Sequence, residues 1–195
     1  MLHLTTTRLV RKSLLLSLVL AGIASCSDNE STSVKPEAGG NSSNLSAAEV
    51  HEASLVLDAH ADIVIPSTSR AYMSVDGTSK VDLAKMRAGG VDAVVMSVAV
   101  GPGPRTEVGD AAARAEADEK LAAVHTLVEK SQGQTVIATT SSEIIAAHEA
   151  GKSAYILGFQ NARSLQGNVS AIDEFYAEGI RIFGLNHLGH NAFSD

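Results

Sequence analysis

"VDAVVMSVAV", residues 91–100, is a near-continuous apolar run rich in β-branched residues, broken only by Asp92 and Ser97. A strand with one wet face would alternate apolar and polar. This one reads as covered on both faces, the mark of a parallel sheet inside an α/β fold.

Working outward, the signals alternate between helix and strand. Upstream, residues 55–59 read as a first strand, and residues 81–88 as a short helix with Asp82 near its start and Gly89-Gly90 as its stop. Downstream, residues 107–130 have helical composition, with Leu121, Val124 and Val128 spaced for one buried face. Residues 136–138 read as a short extended piece, and Thr140-Ser141-Ser142-Glu143 as a capping box opening a helix to about Ala150. A third long strand is expected over 155–159, a helix over 169–178 with Ile172, Phe175 and Tyr176 inward, and a fourth strand over 180–185. Strand–helix alternation implies parallel pairing with right-handed crossovers. Four such units suit a small doubly wound domain or half of a (β/α)8 barrel, which typically needs about 250 residues. The chain stops in the loop-like "NAFSD", so it reads as a fragment.

The N-terminus reads differently. Arg8, Arg11 and Lys12 precede an apolar stretch over 14–23 that is too short to span a bilayer comfortably. It ends in Ile23-Ala24-Ser25-Cys26, which resembles a bacterial lipobox, so residues 1–26 are expected to be a lipoprotein signal with Cys26 lipidated. An ordinary signal peptide cut after Ser25 is the alternative. Ser27 resembles the pattern of lipoproteins sent to the outer membrane of a Gram-negative cell, facing the periplasm. Residues 27–48 are Ser/Asn/Gly-rich and read as a flexible tether of roughly 25 Å average span. The folded domain is expected over 50–195.

Cys26 is the single cysteine, so no intrachain disulfide can form. Lys and Arg total 15 against 22 Asp and Glu, which argues against a nucleic-acid surface.

Polar residues gather at the strand ends: His60 and Asp62 after the first, Ser97 and a Gly-Pro loop after the second, Gln160 and Asn161 after the third, Asn186 and His187 after the fourth. In a parallel sheet these ends share one face, where sites are built. His60 and Asp62, two residues apart, point to one side of a strand and suit a divalent metal such as zinc. A His–Asp hydrogen bond that merely closes the sheet end is the other reading. "GPGPRTE", residues 101–107, lacks the Lys-Ser/Thr of a phosphate loop and reads as a loop lining the site. His190 lies off the strand end, His51 reads as a surface residue, and His125 and His148 read as solvated or packed on helices.

"LDAHAD" (57–62), "VDLAKMRAGGVDAVVMSV" (81–98) and "AIDEFYAEGIRIFGLNHLGHNAFSD" (171–195) resemble the membrane dipeptidase (renal dipeptidase) family, peptidase family M19. The resemblance covers nearly everything from residue 54 onward. It implies the first half of a (β/α)8 TIM-like barrel of the metal-dependent, amidohydrolase-like type. It also implies a binuclear zinc centre that hydrolyses dipeptides by metal-activated water, including some with a C-terminal D-residue. By position, His60 and Asp62 match the family's first-strand metal ligands and His187 a substrate-contacting histidine. The family's metal-bridging Glu is replaced by Gln160, in "ILGFQNA". A neutral amide cannot offset repulsion between two cations, which implies a weakened second site, a single metal or altered chemistry. A carboxylated lysine or a bridging hydroxide would compensate and retain a binuclear site, but the sequence shows no candidate lysine near that strand end. Further histidines and a catalytic aspartate of the family fall beyond Asp195, so the fragment alone is expected to be inactive.

Three functions follow as expectations. The first is a zinc dipeptidase acting on small peptides, lipid-anchored and in a family whose members often dimerise. The second is a related hydrolase with a reshaped or single-metal centre. The third is a catalytically inactive peptide-binding barrel.

Overall fold

A computed structural model describes residues 45–194. Cys26, the signal and most of the tether lie outside the described residues. A short helix α1 (Ala47–Glu52) begins inside the stretch read as tether, because Ser46 and Glu49 cap each other reciprocally at its N-terminus.

Five parallel strands form one sheet: β1 (Leu57–Asp62), β2 (Ala93–Ala99), β3 (Thr135–Ile137), β4 (Ser153–Gln160) and β5 (Ile180–Gly184). β2 and β4 pair along their full length, from Ala93 with Ala154 to Ala99 with Gln160. The far edge of β4 is shared, with β3 against its first residues and β5 against its last. Helices α2 (Leu83–Gly89), α3 (Glu107–Lys130), α4 (Ser141–Glu149) and α5 (Ala171–Ala177) supply the connections.

The opening run behaves as its composition dictates. Val94, Met96 and Val98 face one way, into a core with Leu157 and Phe159 of β4, Met86 of α2, Leu121 and Val124 of α3 and Phe175 of α5. Ala93 and Val95 face the other way, onto Ala154, Ile156 and Ala147 of α4. Phe175 tilts against Phe159 with ring centroids 5.2 Å apart. Burying each such ring contributes about 1.5–3 kcal/mol.

Helix α3 has the predicted bounds, and Thr106 caps it by accepting from Gly109 N at 3.1 Å. The capping box Thr140–Glu143 opens α4. Two expectations need correction. The first strand runs three residues further than residue 59, and Leu55 and Leu57 are partly exposed; the buried residues of that segment are Ala61, Ile63 and Ile65. Tyr176 is not inward but more than half exposed, with the Arg181 guanidinium stacked 3.8 Å from its ring centre. Residues 175 and 176 sit about 100° apart on a helix of 3.6 residues per turn, so the side that buries Phe175 turns Tyr176 to solvent.

An ionic cluster fixes the entry to α2. Asp76 accepts from the Thr78 backbone N–H at 3.0 Å and its hydroxyl at 2.8 Å, and Lys85 Nζ lies 3.2 Å from Asp76 and 2.9 Å from Asp82. The Thr78 bonds, aided by Lys85, lower the Asp76 carboxyl from 3.8 to about 2. Burial raises the Asp82 carboxyl, but bonds from Lys85 and Thr78 outweigh this and leave it lowered. Folded values below unfolded ones mean the cluster's contribution is present above about pH 4 and is lost as pH falls towards 2. Protection of the Gly77 and Thr78 amides, relative to their intrinsic exchange rates at each pH, is therefore expected to fall across that window while β2 and β4 stay protected. Unchanged protection down to pH 2 would show that the cluster does not hold this segment.

Candidate metal and substrate site

The C-terminal ends of β1, β2 and β4 converge on a cavity of about 440 Å³. His60 and Asp62 enter it from β1, Ala99, Val100 and Gly101 from the end of β2, Gln160 from β4 and His187 from the segment after β5. Ser67, Thr68, Ser69 and Tyr72 form one wall. The Gly-Pro loop thus contributes Gly101 to the lining, and His187 joins the first-strand pair across the sheet. His190 is not part of the lining. His51 lies on α1 against Gly89 O, and His148 Nδ1 sits 2.9 Å from Asp92, both away from the cavity. His125, 3.9 Å from Glu178, lines a separate cavity between α3 and α5, where Arg114 bonds Asp118 and Glu174.

The pair is shaped by a local irregularity. Pairing of β1 with β2 shifts by one residue between Asp58 and Ala61, so an extra residue is accommodated beside His60. Such bulges re-aim side chains near sites. Asp58 holds the bulge by accepting from His60 N at 3.0 Å. His60 Nε2 and Asp62 Oδ1 end 3.7 Å apart, with side chains 47% and 19% exposed. That separation exceeds a hydrogen bond, so the two do not close the sheet end as a bonded pair.

An imidazole nitrogen and a carboxylate oxygen opening together into a cavity fit one divalent cation as two of its ligands. Among the described residues, no group of three or more His, Cys, Asp or Glu is gathered to hold a metal. Gln160 adds only a neutral amide.

Two features go beyond the residues expected from the sequence. Lys120 of α3 reaches the same cavity with its side chain only 8% exposed, pairing with Glu116 Oε1 at 2.9 Å and donating to Ala99 O. The expectation that no lysine lies near the Gln160 strand end is therefore wrong. Helical spacing held the signal, since Ala113, Ala117, Lys120 and Val124 fall on one buried side of α3.

The second feature is a scaffold behind the cavity. Asn161 is buried with φ of 77°, donates from Nδ2 to Val100 O at 3.1 Å, and accepts from Asn191 Nδ2 at 3.1 Å. Asn191 also donates to Leu185 O at 2.7 Å. The Arg163 guanidinium donates to Gly101 O at 2.8 Å, Pro104 O at 3.2 Å and Gly109 O at 2.9 Å. These bonds tie the ends of β2, β4 and β5 together and fix the loop that carries Gly101. No local pattern announces them, because their partners lie up to 62 residues away in the chain.

The sequence profile of the membrane dipeptidases (peptidase family M19) matches residues 45–195. The chain belongs to peptidase family M19. Among curated proteins, no sequence matches this M19 chain significantly. Its fold is shared with solved structures. The probable dipeptidase PvdM from Pseudomonas aeruginosa aligns with a TM-score of 0.63 and 24% identity, over 74% of this chain and 37% of PvdM. An amidohydrolase from Pseudomonas aeruginosa aligns at 0.55 and 23%, over 75% and 38%. A metallopeptidase from Rhodobacter sphaeroides, bound to a phosphinate mimic of L-Ala-D-Ala, aligns at 0.59 and 18%, over 70% and 46%. The M19 chain therefore spans less than half the length of these structures, and its parallel sheet is part of a (β/α)8-type barrel.

Proposed function

We propose that the complete protein is a zinc-dependent dipeptidase. The observation that carries this reading is the opening of His60 and Asp62 into one strand-end cavity, 3.7 Å apart, in a chain of family M19. His60 and Asp62 hold the metal, which when bound supplies Lewis-acid polarisation of the scissile carbonyl and activation of water. His187, on the opposite side of the sheet, contacts and orients the peptide. Ser67, Thr68, Ser69 and Tyr72 wall the cavity beside the pair, where the peptide would lie. The phosphinate mimic of L-Ala-D-Ala bound by the Rhodobacter protein supports dipeptides with a C-terminal D-residue as the first substrates to try. Lipidation at Cys26 anchors the enzyme at the outer membrane facing the periplasm, and a homodimer is the proposed assembly.

Gln160 favours a second reading within the same fold: a hydrolase whose centre carries one metal. A neutral amide leaves the mutual repulsion of two dications uncompensated.

The test is hydrolysis of L-Ala-D-Ala and L-Ala-L-Ala by the full-length protein before and after chelation. Turnover is expected to fall at least a hundredfold on metal removal and to return with zinc. Turnover indifferent to chelation, or absence of dipeptide hydrolysis by zinc-loaded protein, would overturn the proposal.

A further inference from the structure

We infer that Lys120 acts as a fixed cation in the cavity and, with Gln160, limits it to one metal ion. The inference deepens the single-metal reading and rests on it. Its basis is placement. The Lys120 ammonium is bonded to Ala99 O, and Ala99 is the residue paired directly with Gln160 across the β2–β4 ladder. Gln160 O in turn accepts from Val100 N at 3.2 Å. The ammonium therefore sits at the same strand ends as Gln160, in the cavity that His60 and Asp62 enter.

A lysine this buried is uncommon, and it is held rather than accidental. An ammonium has three N–H donors. Ala99 O and Glu116 take two, which leaves one for the cavity. The charges are also ordered in depth, with the Lys120 side chain 8% exposed and its partner Glu116 40% exposed. Both groups line the cavity, the ammonium being the more buried of the pair and the carboxylate the more exposed.

Two groups then act in the same direction on a second dication. The amide of Gln160 withholds a negative charge, and Lys120 sets the positive, more buried end of its pair with Glu116 in the cavity. Restoring a carboxylate at position 160 is not enough, because the ammonium that lines the same cavity still opposes a second dication.

The experiment is zinc stoichiometry by elemental analysis, with affinities from calorimetric titration, on full-length protein and four variants: Gln160→Glu, Lys120→Gln, Gln160→Glu/Lys120→Gln and Gln160→Glu/Lys120→Arg. Melting temperature and circular dichroism confirm that each is folded. Wild type, Gln160→Glu and Lys120→Gln are expected to bind one zinc per chain. Gln160→Glu/Lys120→Gln is expected to bind two, with second-site affinity at least tenfold above that of Gln160→Glu, and Gln160→Glu/Lys120→Arg returns to one. Two zincs in wild type would overturn the single-metal reading itself. One zinc in wild type but two in Gln160→Glu, or no second site in Gln160→Glu/Lys120→Gln, would overturn the role of Lys120 alone. If Gln160→Glu/Lys120→Gln does not fold, the Lys120→Gln single variant decides by first-site affinity. Removing the ammonium should tighten that site at least threefold, and an unchanged value contradicts the inference.

Discussion

Asp62→Asn in the full-length protein is expected to lower kcat/KM for dipeptide hydrolysis at least a hundredfold, with the melting temperature nearly unchanged. The substitution keeps the side chain's size and replaces one anionic oxygen with an amide NH2, which cannot ligate a cation. A hundredfold corresponds to about 2.7 kcal/mol of lost transition-state stabilisation. Asp62 suits such a test because its side chain is 19% exposed and opens into a cavity, so no packed core depends on it. Zinc retention should fall in parallel. A variant that loses activity while holding zinc as tightly as wild type would assign Asp62 to substrate rather than metal.

The second large effect concerns the scaffold. Asn161→Ala is expected to destabilise the protein by about 2–4 kcal/mol in urea unfolding. The strain of a Cβ at φ of 77° is already borne by Asn161, so the loss lies chiefly in its hydrogen bonds. The Val100 carbonyl and the Asn191 amide lose their buried partner, at about 1–3 kcal/mol for such unsatisfied groups. Asn161→Gly separates strain from bonding, because glycine accepts the backbone angle but restores no hydrogen bond. It should be the milder change by about 1 kcal/mol. Equal losses for Ala and Gly would mean that the backbone conformation costs nothing and the network accounts for the whole effect.

These two residues mark what the sequence revealed and what it hid. The strand-end position of Asp62 was legible because a titratable residue at the end of an apolar strand needs a reason, and parallel strands bring their C-terminal ends to one side of the sheet. The alternation of strand and helix was legible too, as were the bounds of α3 and the Thr140–Glu143 cap, which are local features. Asn161 was visible only as a polar strand-end residue. Its bonds to Val100 and Asn191 join positions far apart in sequence, and only packing brings them together. Lys120 was hidden by its own chemistry. A charged residue on a long helix reads as solvated, although its spacing from Ala113, Ala117 and Val124 puts it on the buried side. Tyr176 failed in the opposite sense, since aromatic character suggested the core while the helical phase of Phe175 excluded it. The one-residue bulge at His60 left no mark at all, because a register shift depends on the partner strand.

In the proposed enzyme His60 and Asp62 jointly hold a metal at the mouth of the sheet. Anomalous scattering at the zinc edge from crystals of the zinc-loaded full-length protein would locate that metal. One strong peak is expected about 2.0–2.2 Å from a ring nitrogen of His60 and a carboxylate oxygen of Asp62, in the cavity shared with Gln160 and Lys120. A strong peak elsewhere with this cavity empty, or no ordered zinc at all, would contradict that assignment.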